Sequence, residues 1–122
     1  MIYLDVSELL LIAETVNGSK YCVRDWGLLQ SSAERPKTTV FGMDAYPTLL
    51  DKLAALLHAI ARNHALIDGN KRTAWIAVDI MLSLNTGHGL QVDVDAQEQF
   101  MNDVAQGLLE VPDIALHLKA WM

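Results

Sequence analysis

The run His64–Arg72 places a histidine, an acid, a glycine, an asparagine and two adjacent cations within nine residues of HALIDGNKRTAW, positions 64–75. Histidine titrates near neutral pH and suits proton transfer. Aspartate is a hard oxygen ligand of the kind that holds Mg²⁺ beside phosphates. Arginine grips phosphate oxygens through two parallel hydrogen bonds. Gly69 allows a tight turn and close backbone approach. A helix starting at Asn70 would add free N–H groups and a dipole, which together attract anions. Lys71 and Arg72 would then lie in its first turn, where their charge opposes the dipole unless an anion is bound. The set offers a general base at His64, a metal ligand at Asp68, and a phosphate cradle from Gly69, Asn70, Lys71 and Arg72. That is equipment for moving part of a nucleotide onto a hydroxyl, a reaction governed by positioning and electrostatics.

Each residue also has a plainer reading. His64 could cap the end of the preceding helix. Asp68 could be an N-cap. Lys71 and Arg72 could form a solvated basic patch. The concentration of all of them at the junction of two apolar helices favours the phosphate site.

The elements that must position this loop follow from periodicity and caps. Asp5 and Glu8 have capping-box spacing, and Val6, Leu9, Leu10 and Ala13 make a helical stripe to about Thr15, ended by Asn17-Gly18. A second helix spans Asp25 to Ala33, with Pro36 beyond it. The stretch RPKTTVFGMDAY, positions 35–46, reads as an extended or hairpin-like excursion, too long for a simple helix connection and a candidate functional loop. Thr48 to Asn63 is apolar over more than half its circumference. Asn70 to Leu84 is apolar nearly all round and reads as the central core helix. Leu90 to Val94 alternates and suggests a short strand, with Ile2 to Leu4 as its partner. Asp95 and Glu98 have capping-box spacing and open a helix to about Gln106. Pro112 begins a last helix to Trp121. The expected fold is all-α, a compact helical bundle with a minor β element, and residues 1–122 read as one domain.

Composition narrows the class. The chain of 122 residues is 52% hydrophobic and 20% charged, enough for one core without staples. A net charge of −6 argues against direct nucleic-acid binding. The single cysteine, Cys22, excludes an internal disulfide, fits a reducing cytosol and is read as a small buried residue. There is no basic leader and no apolar run of membrane-spanning length, so a cytoplasmic protein without membrane contact is expected. No His/Cys/Asp spacing suggests zinc. His58, His88 and His117 are read as structural or solvent-exposed. Trp26, Trp75 and Trp121 are read as core anchors. Asp79, seven residues beyond Arg72, is expected to pair with a basic group near the loop or to cap a neighbouring segment.

The loop also carries a family resemblance. His64-Ala-Leu-Ile-Asp68-Gly69-Asn70-Lys71-Arg72-Thr73 is similar to the Fic/Doc motif, whose Fic form reads H-P-F-x-[DE]-G-N-G-R-x-x-R. The Fic glycine is Lys71 here, and NKR marks the Doc (death-on-curing) branch. Arg24-Asp25, Leu28-Leu29, Ala33 to Pro36, Phe41-Gly42, Tyr46-Pro47 and Ala61 to His64 resemble Doc in order and spacing. The resemblance covers roughly residues 3 to 120. It implies a compact helical toxin of a type II toxin–antitoxin pair, acting as a kinase. Such a kinase transfers the γ-phosphate of ATP to a threonine or serine hydroxyl on elongation factor Tu, halting translation. It implies His64 as general base, Asp68 as Mg²⁺ ligand, and Asn70, Lys71 and Arg72 on the ATP phosphates. Thr38, Thr39, Val40 and Phe41 match the flap that holds the target peptide in extended form. It implies a Phd-like antitoxin whose C-terminal segment folds into a groove over the site. The sequence departs from the pattern at Ala65, Leu66, Trp75 and Ile76. Leu66 replaces the usual phenylalanine, and Trp75 stands where Fic has its last arginine. Two other activities compete: a nucleotidyltransferase attaching AMP, as Fic relatives do, and a catalytically weak binding protein of the same fold.

Overall fold

A computed structural model describes residues 1–122. Helix α1, Val6–Asn17, starts where the sequence signals it should. Asp5 accepts from the Glu8 N–H and Glu8 returns the bond to the Asp5 N–H, and Gly18 closes the helix with left-handed φ of 64°. Helix α2, Trp26–Glu34, is capped by Asp25 and runs into a 3-10 turn at Arg35–Lys37 containing Pro36. Helix α3, Leu49–Asn63, is capped by Thr48. Helix α4 spans Asn70–Thr86, α5 spans Val94–Ala105, and α6 spans Val111–Trp121 with Pro112 in its first turn. The expected all-α fold with a minor β element is what forms.

That β element is a hairpin inside the 35–46 excursion. Strand β1, Thr39–Val40, pairs antiparallel with β2, Met43–Asp44. Phe41 and Gly42 form its two-residue turn, both at positive φ (52° and 77°), the geometry that matches strand twist. Its base is braced. Buried Lys52 donates to the Tyr46 carbonyl and to Asp44 (3.3 Å), and Arg35 Nε donates to the Tyr46 hydroxyl at 2.8 Å.

One core runs from Leu4 to Leu118. Its axis is α3, not α4 as the sequence suggests. Nine of the fifteen α3 residues are buried, against six of seventeen in α4. Helix α3 packs on α2, α4, α5 and α6 together, whereas Ile80 and Leu84 of α4 reach solvent. Apolar composition alone does not separate the two helices, because alanines shrink α3 enough to admit four neighbours. Burying each of Leu53, Leu56 and Leu57 contributes about 2 kcal/mol.

Three further expectations are corrected. Leu90 to Val94 forms no strand: the Gln91 N–H donates to the Trp121 carbonyl, and Ile2 is bound through its backbone by the Asn85 amide. The cap of α5 is Asp93, which accepts from Ala96 N, because Asp95 already lies inside the helix. Trp26 is exposed at the start of α2, while Trp75 and Trp121 do anchor an aromatic cluster with Phe100. Cys22 is buried as expected, and Asp79 caps a segment rather than pairing with a cation, accepting from Leu90 N at 2.7 Å.

Candidate functional site

The α3–α4 connection is short and heavily bonded. His64 ends α3 in the left-handed conformation (φ 52°), which turns the chain away while leaving the imidazole exposed. The segment before α2 then holds the loop like a strand. Arg24 N and Asp25 N both donate to the Ala65 carbonyl (2.8 and 3.1 Å), and Ile67 N donates to the Cys22 carbonyl (2.9 Å). Val23 and Leu66 form an isolated bridge. Leu66, smaller than the phenylalanine expected there, is nonetheless only 1% exposed, so it still pins the loop to the core. The Arg24 guanidinium donates to the His64 carbonyl. That carbonyl is one of those left without an intrahelical partner at the end of α3, so Arg24 satisfies it and fixes the histidine backbone.

Asn70 closes the loop from the other side. Its Oδ1 accepts from Leu66 N and its Nδ2 donates to the Leu66 carbonyl, both at 3.1 Å. The Asn70 side chain is therefore held against the Leu66 backbone, while its backbone N–H at the start of α4 stays available to an anion. Gly69 is required twice over. It sits at φ 74°, and a Cβ there would come within 3.0 Å of Val16 and Asn17 at the end of α1.

The N-terminus of α4 has no side-chain cap. Asp68 does not cap it: Asp68 Oδ1 accepts only from the adjacent Gly69 N at 2.8 Å, leaving the exposed carboxylate's other oxygen free. Lys71 and Arg72 rise from this uncapped turn. Neither has a carboxylate partner, and the one ion pair in the chain, Lys52–Asp44, lies at the other end of α3. Uncapped N–H groups, a helix dipole and unpaired cations add up to a positive locus in a chain of net charge −6.

The loop opens onto a cleft of about 860 Å³, within the range that holds small ligands. His64, Asp68, Gly69, Asn70, Lys71 and Arg72 all line it, so every residue read from the motif shares one wall. The far wall is α5, through Gln97, Glu98, Met101 and Asn102. Trp75 also faces the cleft, its ring braced edge-on by Phe100 and Trp121. The flap residues Thr38, Thr39, Val40 and Phe41 do not line it. They form the hairpin beyond the start of α3, with Phe41 fully exposed. No group of three or more His, Cys, Asp or Glu side chains is gathered anywhere. Asp68 therefore fits a metal held jointly with phosphates and water, the usual habit of Mg²⁺, and not a cage made of protein alone.

The Fic/Doc family model matches residues 3–82, which contain the loop, the hairpin and all of α1 to α3. The chain belongs to the Fic/Doc family. It is also 48% identical over 120 residues to a Mycolicibacterium smegmatis protein named Toxin Doc, covering 95% of this chain and 90% of that one. No helix of this Fic/Doc chain is long and apolar enough to cross a membrane.

Sequence reasoning missed two of the site's residues as participants. Arg24 lay in a stretch that resembles Doc, and its bond to the loop gives that stretch a physical reason. Asn102 had no sequence signal, since its contact with Lys71 crosses 31 residues. The other histidines stay outside the site. His58 is half-buried with an unpartnered Nδ1, and burial, with Arg35 and Arg62 nearby, pushes its pKa below the usual histidine range. His88 is exposed, and His117 packs its ring on Phe100 and Trp121.

Proposed function

We propose that this chain is the toxin of a type II toxin–antitoxin pair and acts as a protein kinase. It would transfer the γ-phosphate of ATP to a threonine or serine hydroxyl of elongation factor Tu, in the cytoplasm. The observation that carries this reading is the convergence of His64, Asp68, Lys71 and Arg72 on one cleft, with lysine where Fic enzymes have glycine. Membership of a transferase family and 48% identity to a protein named Toxin Doc support it.

In this mechanism the target hydroxyl loses its proton to the His64 imidazole as its oxygen attacks the γ-phosphorus. The new P–O bond forms as the β–γ bridging bond breaks, and ADP leaves. His64 can stand ready because Arg24 fixes its carbonyl while its ring stays free. The first N–H groups of α4, with Lys71 and Arg72, hold the phosphate oxygens and balance the charge that builds on them. Asp68 would hold Mg²⁺, which when bound neutralises part of the phosphate charge. The hairpin offers an extended edge to which a target segment adds as a strand, with Phe41 at the tip to meet it. Trp75 offers no cation at the position of the last Fic arginine, which disfavours AMP transfer.

A Phd-like antitoxin would neutralise the toxin by laying its C-terminal segment over this cleft. The test is the intact mass of elongation factor Tu after incubation with the protein and Mg-ATP. A gain of one phosphate is expected. A gain of one AMP would make the chain a nucleotidyltransferase. An unmodified target alongside undetectable ATP binding would favour a binding protein of the same fold.

A further inference from the structure

Lys71 reaches across the cleft. Its Nζ donates to Asn102 Oδ1 at 2.8 Å, on the last turns of α5. Both side chains line the cleft, and Lys71 makes no ion pair, although Asp68 and Glu98 line the same cleft. An ammonium on a four-carbon stem samples many positions when nothing holds it. Here one bond selects a position.

We propose that Asn102 is a positioning residue for Lys71, holding its ammonium against the α5 wall for a nucleotide phosphate while leaving its charge intact. This rests on the nucleotide reading above and adds the residue that tunes it. The chemistry of the acceptor is the point. An amide oxygen is a neutral acceptor that engages one of the three ammonium donors and leaves two for phosphate oxygens. A carboxylate would hold Lys71 more tightly, but it would cancel the charge that a phosphate needs and would itself repel the nucleotide.

The platform under Asn102 is fixed as well. Arg62 of α3 donates from Nη1 to the Ala105 carbonyl at 2.7 Å, tying the end of α5 to the central helix. A Cβ at Gly107, just past that end, would approach the Arg62 guanidinium to 3.0 Å, so glycine there leaves room for the tie. Position is thus passed from α3 through Arg62, the last turn of α5 and Asn102 to Lys71.

A double-mutant cycle read by calorimetry tests this, with Mg-ATP titrated into wild type, Asn102→Ala, Lys71→Ala and the double variant. Thermal melts check that each is folded. Asn102→Ala is expected to weaken binding by about three- to ten-fold, the worth of a partly exposed hydrogen bond. The same change in the Lys71→Ala background is expected to do nothing. Asn102→Asp is expected to weaken binding more than Asn102→Ala, although aspartate is nearer in shape. Equal losses from Asn102→Ala with and without Lys71 would overturn the proposal while sparing the nucleotide reading. A wild type that binds no Mg-ATP would overturn both.

Discussion

The two connections at the ends of α3 solve opposite problems. Each carries a non-glycine residue at the same left-handed φ of 52°: Phe41 in the hairpin and His64 in the loop. Around His64 the backbone is bonded at nearly every step, by Arg24, by the Cys22–Asp25 segment and by both faces of the Asn70 amide. Around Phe41 only the base of the hairpin is tied down, by Lys52, Arg35 and the Ala45–Thr38 bond of 2.8 Å. Its tip stands in solvent, with Val40, Phe41 and Met43 all exposed. On the proposed function, reacting groups must be held to a fraction of an ångström, which the dense bonding around His64 would serve. On the same reading, a strand edge that receives a partner needs free backbone and free side chains, which the open hairpin would offer.

This contrast can be broken from either side, and the loop should give the larger effects. Asn70→Ala removes the amide that serves both the N–H and the carbonyl of Leu66. It should lower folding stability by about 2 kcal/mol and cut phosphate transfer more than ten-fold. Denaturant unfolding and an initial-rate assay measure the two losses. A variant with unchanged rates would show that the loop holds its shape without Asn70.

At the hairpin base, Lys52→Met keeps the packed stem but leaves the Tyr46 carbonyl and Asp44 without their donor. Stability should fall by about 1 kcal/mol. Hydrogen exchange at Thr39–Asp44 should quicken, while exchange at Ala65–Ile67 stays slow. Loosening of both regions together would mean that they are one cooperative unit. At the tip, Phe41→Asn replaces a bulky residue with one that tolerates positive φ. The melting temperature should hold or rise slightly, while KM for the protein target rises and KM for ATP does not change. An unchanged target KM would remove the hairpin from recognition.

The smallest effect concerns pH. The His58 pKa lies below its unfolded value because burial and the nearby Arg35 oppose protonation, with Glu110 acting the other way and Arg62 opposing weakly. The unfolded chain therefore binds more protons between the two pKa values. Stability rises with pH there and is lost as pH falls below about 6.5, levelling off beneath the folded pKa. Unfolding midpoints measured across that window should flatten in His58→Gln. A slope that persists would belong to other groups.

Much of this was legible in the sequence because it is local. The Asp5–Glu8 box, the Gly18 stop and the hairpin-like character of positions 35–46 lie within a few residues of what they shape, whereas Asp25 and Thr48, read as the first residues of their helices, turn out to be the caps. The motif residues lie within nine positions, His64 to Arg72, so their shared wall follows from one turn into one helix. The false strand at Leu90–Val94 shows the limit. Alternation there was real, but the partner that Ile2 would have offered is bound by Asn85 instead. The cap of α5 was misplaced by two residues because Asp93 and Asp95 are equally good acceptors, and only packing chooses between them. The choice of α3 over α4 as the axis, and the reach of Lys71 to Asn102, depend on three-dimensional neighbours that no window of sequence contains.

The most direct test of the central claim is a single-turnover transfer of label from γ-labelled Mg-ATP to elongation factor Tu, by wild type and by His64→Ala. The imidazole is exposed and its backbone is held by Arg24, so the variant should fold as wild type does. Transfer should fall by at least about 10²-fold in the variant, while Mg-ATP still binds. Undiminished transfer by His64→Ala would contradict the assignment of the chemistry to this loop.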